Sequence, residues 1–351
     1  PNSPNLLDGE IVRNKDGSPV KVPGMFKDVK GVGWYIDTFK RAQISINFNN
    51  YKNSTIHDVF DAACKLADER GIRVTGSELV GLIPLDAIIM AGKYYLQKQG
   101  RTIGVPESDI IESAVQSLGL NDVTPFVPKE KIIEFAVGEK SGNLMSLSVD
   151  GFTNELSSNS PAPGGGSVAA LAGSLGAALS SMVAALTHEK KGFESQKTEM
   201  DMIGQDAQAI KDRLSFLVDE DTHAFNKVMA ANRLLASNDE EKTMKADAVL
   251  KANQYAIDIP FEVATLCYSI IELADVLVSK GNPNSVSDAG VAAEVALAGV
   301  RGAAMNVLIN LSGVDDDAYC GEKRNNVNDL IQKAEAKHKV VFDKTIGVIN
   351  S

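Results

Sequence analysis

The sequence predicts an α+β protein, in which a small α/β sandwich subdomain is followed by an all-α helical bundle domain. In the first third of the chain, short segments alternate between apolar and polar residues, as half-buried strands do. From about residue 148 onward, apolar residues recur almost only at helical spacing, which is typical of a helical bundle. A chain of 351 residues is long enough for two such cores. We therefore predict an α+β domain over residues 1–138, a polar linker over 139–147 and an all-α domain over 148–351.

The predicted element order of the first domain is ββαβα. Segments 31–37 (GVGWYID) and 42–48 (AQISINF) are predicted strands, since apolar and polar residues alternate clearly in the second. Ser54 can cap a helix whose apolar residues follow three- and four-residue spacing. A third strand over residues 71–77 (GIRVTGS) and a second helix over 84–96 complete an order that suggests a layered sandwich.

Composition and charge exclude several classes of function. The net charge of -11 argues against a nucleic-acid partner, because no basic excess is available to displace counterions. Cys64, Cys267 and Cys320 are far apart, and no Cys/His cluster suggests a disulfide framework or a metal site. The chain begins with proline, and no secretory signal follows. We expect a cytoplasmic protein that has been processed or cut from a longer chain.

The stretch SPAPGGGSVAALAGSLGAALSSMVAAL, residues 160–186, allows three interpretations. Its Gly-x-Gly-x-x-Ala spacing matches a relaxed dinucleotide motif, but no strand precedes it, so nucleotide binding is disfavoured. It is long enough to cross a bilayer, but Ala, Gly and Ser dominate and no aromatic belt flanks it, so we predict no membrane span. The third interpretation is a core helix, with one ridge of larger side chains and small residues on its other faces. We favour the core helix.

The loop that opens this helix is a candidate binding element. Gly164, Gly165 and Gly166, followed by Ser167, place unpaired N–H groups at a helix start, where polar or anionic ligands bind. Glycines also let a ligand lie against the backbone. The residues alone leave a tight packing turn equally open.

Asp221 is the candidate acid/base. In KDRLSFLVDEDTHAFNKVM it falls on the apolar face of a helix, whereas Asp219 and Glu220 point elsewhere. A carboxylate on a buried face needs a partner, and burial raises its pKa toward values useful in acid catalysis. An aspartate that bonds a neighbouring helix start would give the same pattern, and the residues alone favour that structural role.

Four further polar residues are candidates for substrate binding. Asn282 and Asp288 lie in a loop that opens another small-residue helix, and their side chains can both donate to and accept from a polar ligand; Ser287 or Asp288 could equally be the N-cap of that helix. Lys190 and Lys191 follow the glycine helix and could meet an anionic group of a ligand, although solvated surface charge explains each one singly.

Asn306 and Asn310 lie one turn apart on an apolar helix. A side-chain amide in such a position can bond a facing helix or a substrate. The sequence does not decide between these two roles.

Three segments of the second half resemble, in the same order, the cyclodeaminase domain of the bifunctional formimidoyltransferase-cyclodeaminase family. They are SPAPGGGSVAALAGSLGAALSSMVAALT, LVDEDTHAFNKVMAANRL and GNPNSVSDAGVAAEVALAGVRGAAMNVLINL. In the first half, GVGWYID, IRVTGSELVGLIPLDAI and SLGLNDVTPFVPKEKIIEFAV are similar to the C-terminal subdomain of the transferase half. The resemblance covers both predicted domains.

The resemblance implies an ammonia-lyase of histidine degradation and one-carbon metabolism. It closes 5-formimidoyltetrahydrofolate to 5,10-methenyltetrahydrofolate with loss of ammonia and needs no cofactor or metal beyond the folate. The family's catalytic aspartate, in a D-x-D-x-x-A-F segment, falls on Asp221. The resemblance also implies a folate substrate, with or without a polyglutamate tail, and a homo-oligomer with sites at subunit contacts. We expect the folate to contact Gly164, Gly165, Gly166, Ser167, Asn282, Asp288, Lys190 and Lys191.

One departure from this family and two alternative functions bear on the assignment. The N-terminal transferase subdomain with its catalytic histidine has no counterpart, and His57 does not lie in that motif, so we expect transferase activity only in a full-length protein. Methenyltetrahydrofolate cyclohydrolases, which hydrolyse the product, resemble residues 148–351 about as well. The transferase-like residues 1–138 favour the deaminase. A non-catalytic folate-binding module is the third alternative.

Overall fold

The computed structural model describes residues 11–20, 23–138 and 144–351. The chain forms two compact units. The first contains the described residues up to Tyr95 together with Ile111–Gly138, and the second contains Leu96–Ile110 together with the chain after residue 143. The second unit thus includes residues 96–110, which we predicted to belong to the first domain. Most of the predicted linker, residues 139–143, lies outside the described residues.

Among the described residues before 139, the chain forms a β-hairpin and five helices. They are β1 (Val29–Ile36), β2 (Arg41–Phe48), α1 (Ile56–Asp68), α2 (Leu85–Lys98), α3 (Glu107–Ser117), α4 (Pro128–Lys131) and α5 (Ile133–Val137). The two strands pair antiparallel, with Gly33 opposite Ile44. The predicted hairpin and the first two predicted helices are confirmed, and the chain is broadly α+β.

The predicted third strand over residues 71–77 is wrong. The N–H group of Ser77 donates to the Gly119 carbonyl at 3.0 Å, so the segment bonds the turn after α3 and not the hairpin. Gly76 has a φ of 154°, and a Cβ atom there would lie 2.5 Å from the Cβ atom of Asp122. This close approach between two loops replaces strand pairing.

The predicted cap of α1 is displaced by one residue. The Thr55 hydroxyl, and not that of Ser54, accepts the N–H of Asp58 in the first turn. The Ser54 hydroxyl donates instead to the Lys27 carbonyl at 2.7 Å. Either hydroxyl could cap α1. Because the Ser54 hydroxyl bonds the Lys27 carbonyl, the Thr55 hydroxyl is the one that caps the helix.

After residue 143 the described elements are all helical, as predicted. They are a 3-10 turn (Leu144–Ser146), α6 (Val149–Leu156), α7 (Gly165–Glu189), α8 (Lys197–Asn232), α9 (Asp239–Lys280), α10 (Val286–Asn310) and α11 (Asp317–Ile349), with short 3-10 turns before α8 and on either side of α10. Helix α7 packs against α8, α9 and α10. Their buried side chains form one continuous core.

Helix α7 is a core helix, but its buried surface is the small-residue one. Ala169, Ala170, Gly173, Ala177, Ser180 and Ala184 are buried. The ridge of larger side chains faces outward, since Leu175 is 54% exposed and Leu186 is 46% exposed. The small residues let the backbones of α8, α9 and α10 approach α7 closely. The space between these helices is then too narrow for the larger side chains, which point outward.

The closest packing in this core surrounds Cys267 of α9. A Cβ atom on Gly173 of α7 would lie 2.4 Å from its sulfur, and one on Gly299 of α10 would lie 2.6 Å from it. Three helices therefore meet at one thiol, which fills the space that two missing side chains leave. Burial raises the pKa of the Cys267 thiol to about 12, so the group is a packing element and not a nucleophile.

The register of α7 against α8 is set by serines seven residues apart. The Ser167 hydroxyl donates to the Val218 carbonyl at 2.8 Å, and the hydroxyls of Ser174 and Ser215 lie 2.9 Å apart. Along α7 the two serines are two turns apart, while the partner on α8 moves back from residue 218 to residue 215, so the two helices run antiparallel and cannot slide by one residue without losing both bonds.

Two helical segments of the described chain are long and apolar enough to cross a membrane, Gly165–Glu189 and Pro283–Gly313. Their most apolar windows are 56% and 50% buried inside the protein. The core helix of a soluble protein meets the same criterion, and α7 and α10 pack against each other and against α9. Length and composition therefore carry no argument for a membrane span.

The packing around Cys267 predicts that Gly299→Ala destabilises the protein. The added methyl group would meet the Cys267 sulfur and, at 3.0 Å, the Ala169 carbonyl oxygen. We expect a loss of about 1–3 kcal/mol in the free energy of unfolding, measured by urea denaturation. Gly347→Ala is the matched control, because nothing lies within 4 Å of that added atom and alanine favours the helix. Equal stability of the two variants would contradict the packing argument.

Candidate functional site

The carboxyl group of Asp221 on α8 packs against the first turn of α7. Its Oδ2 atom accepts the backbone N–H of Ser167 at 3.0 Å and the Ser167 hydroxyl at 3.3 Å. The two preceding acids bond other partners, but Glu220 is itself buried, so the prediction that Asp221 alone of the three acids lies on the buried face of α8 is wrong. Asp219 accepts the N–H of Leu144 at 2.6 Å, and Glu220 points toward α9.

Residue 166 is glycine because the Asp221 carboxyl group occupies the space that a side chain there would fill. A Cβ atom on Gly166 would lie 2.0 Å from Oδ1 and 2.4 Å from Cγ of Asp221. No larger residue fits there unless the carboxyl group moves. The last glycine of the three and the aspartate 55 positions later therefore form one structural unit.

The environment of Asp221 tunes it for proton transfer. Burial raises the pKa of its carboxyl group above the ordinary value, although the two hydrogen bonds from Ser167 act in the opposite direction. A carboxyl group with a raised pKa holds and releases a proton closer to neutral pH, which an acid/base catalyst requires.

The start of α7 also offers unpaired donors. Gly164 is the N-cap and has no side chain with which to cap the helix. Within the described chain, no acceptor is bonded to the N–H groups of Gly164, Gly165 or Gly166. The Asp221 carboxyl group lies beside these N–H groups. The first turn of α7 therefore offers a ligand both hydrogen-bond donors, from the backbone, and an acceptor, from Asp221.

Asn306, which the sequence left undecided, joins this group. Its Nδ2 atom lies 3.5 Å from where a Cβ atom of Gly165 would be, and the same nitrogen donates to the Gly302 carbonyl at 2.8 Å. Helix α10 reaches this point because Gly302 and Gly299 let it run close to Ala169 of α7.

Asn310, one turn later, has a structural role. Its Nδ2 atom donates to the Ala256 carbonyl of α9 at 2.7 Å. That carbonyl would ordinarily bond the N–H of residue 260, which is proline and has none. Asn310 thus satisfies an acceptor that Pro260 leaves free.

The remaining predicted residues lie at the other end of α7. Lys190 donates to the side-chain oxygen of Asn282, whose N–H donates to the Thr187 hydroxyl. Lys191 is exposed, and Asp288 is half-buried in the first turn of α10. Helix α10 starts at Val286 after an N-cap at Ser285, so neither Ser287 nor Asp288 caps it.

Within one chain, the structure therefore separates the predicted residues into two groups. Gly164–Gly166, Ser167 and Asp221 are together, whereas Lys190, Lys191, Asn282 and Asp288 are about 37 Å away, since 25 helical residues rise by about 1.5 Å each. A single folate that touches Asp221 does not also reach the second group of the same chain.

A cluster of charged and polar side chains around the buried Glu220 was not predicted. Glu220 accepts from the Tyr255 hydroxyl, and Lys227 lies 3.3 Å from the same carboxyl group. Burial alone would raise the pKa of Glu220, but hydrogen bonds from Tyr255, His223 and Lys227 outweigh it and hold that pKa below its ordinary value. The cluster ties α8 to α9, and no spacing in the sequence indicates the partner on α9.

The described residues contain no group of three or more His, Cys, Asp or Glu side chains placed to hold a metal ion.

Comparisons with known proteins match both units. A family model described as Formiminotransferase-cyclodeaminase matches residues 148–329, and one described as Formiminotransferase domain matches residues 9–138. A formimidoyltransferase-cyclodeaminase of Sus scrofa is 36% identical over 324 residues, which are 92% of this chain and 60% of that protein. The chain spans about 60% of the length of the curated relatives of this kind.

The second unit has further relatives of its own length. A methenyltetrahydrofolate cyclohydrolase of Methylorubrum extorquens is 35% identical over 202 residues, which are 58% of this chain and 97% of that protein. The crystal structure of a formiminotetrahydrofolate cyclodeaminase from Thermotoga maritima is 28% identical, with a TM-score of 0.50, and covers 59% of this chain and 98% of that one.

The raised pKa of Asp221 predicts a pH-dependent difference between the wild type and Asp221→Asn. The folded state binds the Asp221 proton more tightly than the unfolded state, whose value is 3.8. The stability that this proton contributes is present below that value and is lost as pH rises through the folded pKa. We expect the wild type to gain stability relative to the variant between about pH 7 and about pH 4.

Urea unfolding of both proteins across this pH range measures the effect. Asp206→Asn, at an exposed position of the same helix, controls for the loss of one carboxylate from α8. If the wild type instead lost stability relative to Asp221→Asn as the pH falls, the raised pKa of Asp221 would be contradicted.

Proposed function

The chain belongs to the formiminotransferase-cyclodeaminase family, and on this premise we propose that its second unit closes 5-formimidoyltetrahydrofolate to 5,10-methenyltetrahydrofolate with release of ammonia. One observation carries the proposal. The carboxyl group with a raised pKa, Asp221, lies against bare backbone at the start of α7, beside unpaired N–H donors.

The reaction needs one proton carrier. In the substrate, N5 carries a formimidoyl group whose carbon is bonded to a cationic nitrogen. N10 attacks this carbon and forms a tetrahedral centre, and the N10 proton then moves to the nitrogen that leaves as ammonia. The charge of the substrate cation remains on the methenyl product, so one carboxylate that accepts and returns one proton balances the step.

Asp221 is the group that we propose for this transfer. Its ionised form accepts the N10 proton, and its protonated form donates to the departing nitrogen. The glycine loop would hold the folate with N10 close to the formimidoyl carbon, which supplies the proximity that ring closure needs. We propose no cofactor beyond the tetrahydrofolate substrate, since no step requires one.

A second candidate reaction is hydrolysis of 5,10-methenyltetrahydrofolate. It is favoured by the similarity of the second unit to the Methylorubrum extorquens cyclohydrolase. The relatives that match both units are formimidoyltransferase-cyclodeaminases, and this favours the deaminase. We propose transferase activity only for a longer protein that includes the rest of the relatives' length. We also propose, as the family resemblance implies, a cytoplasmic enzyme of histidine degradation.

We also propose that the protein is a homo-oligomer whose sites lie at subunit contacts. The ridge of α7 leaves Val168, Leu175, Met182 and Leu186 at least 39% exposed along one side of the helix. Large side chains in such a row are typical of surfaces that another protein covers.

A two-fold axis through the middle of α7 would complete the site. Two copies of the ridge would then pack antiparallel. Lys190 of the partner subunit would lie beside the glycine loop of the first, so that the two groups of predicted residues, separated within one chain, would meet around one folate. The two sites of the dimer would be equivalent.

Asp221→Asn tests the assigned proton transfer. The amide cannot accept and return the proton, so we expect ammonia release from 5-formimidoyltetrahydrofolate to fall by about 10²- to 10⁴-fold. The measurement is ammonia release together with the absorbance of the methenyl product. Asp206→Asn serves as the control on the same helix. Turnover by a folded Asp221→Asn variant at the wild-type rate would refute the role of Asp221, and methenyl hydrolysis without ammonia release by the wild type would favour the cyclohydrolase.

Leu175→Glu tests the proposed assembly. A charge in the middle of the ridge should separate the copies, because a buried unpaired carboxylate opposes association. Light scattering should give an oligomer for the wild type and a monomer for the variant, with loss of turnover. Ile349→Glu is the control, since Ile349 of α11 is 53% exposed and Leu175 is 54% exposed. A wild-type monomer, or an unchanged mass for Leu175→Glu, would contradict the assembly.

A further inference from the structure

We propose that Asn306 determines specificity for the formimidoyl substrate by accepting a hydrogen bond from its departing nitrogen, an inference that rests on the proposed function. The class of group that Asn306 would recognise is an amidine or amidinium N–H. Neither the family resemblance nor the sequence assigns a role to this residue.

The position of Asn306 follows from the packing of α10 on α7. The Cβ atom of Ala169 lies 3.3 Å from where a Cβ atom of Gly302 would be, and this closeness brings the next turn of α10 to the glycine loop. Asn306 then lies over Gly165, and Asp221 lies over Gly166. Consecutive Cα atoms are about 3.8 Å apart, so the two side chains flank the same first turn of α7.

The orientation of the amide is fixed by its own helix. The Gly302 carbonyl is only an acceptor, so the atom at 2.8 Å from it must be the amide nitrogen. The oxygen Oδ1 is thereby on the other side of the amide group. In the described chain no donor is bonded to it, Asn306 is half-buried, and Oδ1 lies 4.0 Å from where a Cβ atom of Gly165 would be.

The two acceptors differ in chemistry. The Asp221 carboxyl group exchanges a proton, whereas the Asn306 amide oxygen stays neutral and only accepts hydrogen bonds. Before it leaves, the formimidoyl nitrogen carries two N–H groups, so one of them can donate to Asn306 while the lone pair of that nitrogen in the tetrahedral centre takes the proton from Asp221. The methenyl carbon of the product carries no N–H. The hydrogen bond to Asn306 is therefore available to the substrate and lost in the product.

This difference distinguishes the two reactions of the family's relatives. A cyclohydrolase acts on the methenyl group and cannot use an acceptor for the departing nitrogen. In a cyclodeaminase the same acceptor holds the formimidoyl group in the orientation that N10 attacks. Asn306 would thus favour one substrate without taking part in proton transfer.

Asn306→Leu is the primary test, since leucine has a similar volume and no acceptor. We expect kcat/KM for ammonia release from 5-formimidoyltetrahydrofolate to fall by about 10- to 100-fold, the effect of losing a hydrogen bond to a charged group. Inhibition by added 5,10-methenyltetrahydrofolate should stay within about twofold of the wild type, because the product makes no bond to Asn306.

Asn306→Asp provides the second readout. It keeps an acceptor, so ammonia release should exceed that of Asn306→Leu. It also places a like charge near Asp221, so the acidic limb of the pH profile of kcat/KM should move to higher pH. A purely structural role for Asn306 would give Asn306→Asp no advantage in ammonia release over Asn306→Leu.

The outcomes separate the two proposals. Ammonia release by the wild type together with unchanged kcat/KM in Asn306→Leu overturns the role of Asn306 and leaves the proposed function intact. Equal losses of turnover and of methenyl affinity in Asn306→Leu overturn it as well. If Asn306→Leu does not fold, an unshifted pH profile in Asn306→Asp overturns it. A wild type that releases no ammonia overturns the proposed function and this inference together.

Discussion

The contact between the carboxyl group of Asp221 and the bare backbone of Gly166 is the constraint on which the site depends. The carboxyl group lies where a side chain of residue 166 would be, and the N–H and hydroxyl groups of Ser167 hold it there. The position therefore requires glycine for space and the next residue for hydrogen bonds. Burial at this contact raises the pKa of Asp221, which turns a packing arrangement into a candidate acid/base.

Small residues at the helix contacts also determine how the bundle packs around the site. Glycines of α7 and α10 meet Cys267 of α9, and serines of α7 bond α8 at seven-residue spacing. These contacts fix how far each helix extends past its neighbour, and thereby which side chain reaches the first turn of α7. They also leave the larger side chains of α7 on the outside, so the close packing of one chain creates an apolar ridge that a second chain can cover.

Local patterns in the sequence predicted the helices of the second unit and the two strands of the hairpin, but not the burial of Glu220 beside Asp221. Local spacing is sufficient for the helices and strands, because each depends on residues within a few turns. The strand over 71–77 failed because a loop contact at Gly76 overrides local strand character. The separation of Lys190 from the glycine loop follows from the length of α7 alone, whereas that of Asn282 could not be predicted, since it depends on the antiparallel directions of α7 and α10.

The location of bound folate tests this account most directly. A crystal structure with the stable analogue 5-formyltetrahydrofolate would show it. The account predicts the substituted N5 and N10 over Gly164–Gly166, with the Asp221 carboxyl group within about 3.2 Å of N10 or of the formyl group. Folate bound away from this turn of backbone, with Asp221 still bonded to Ser167 and in contact with no ligand atom, would contradict it.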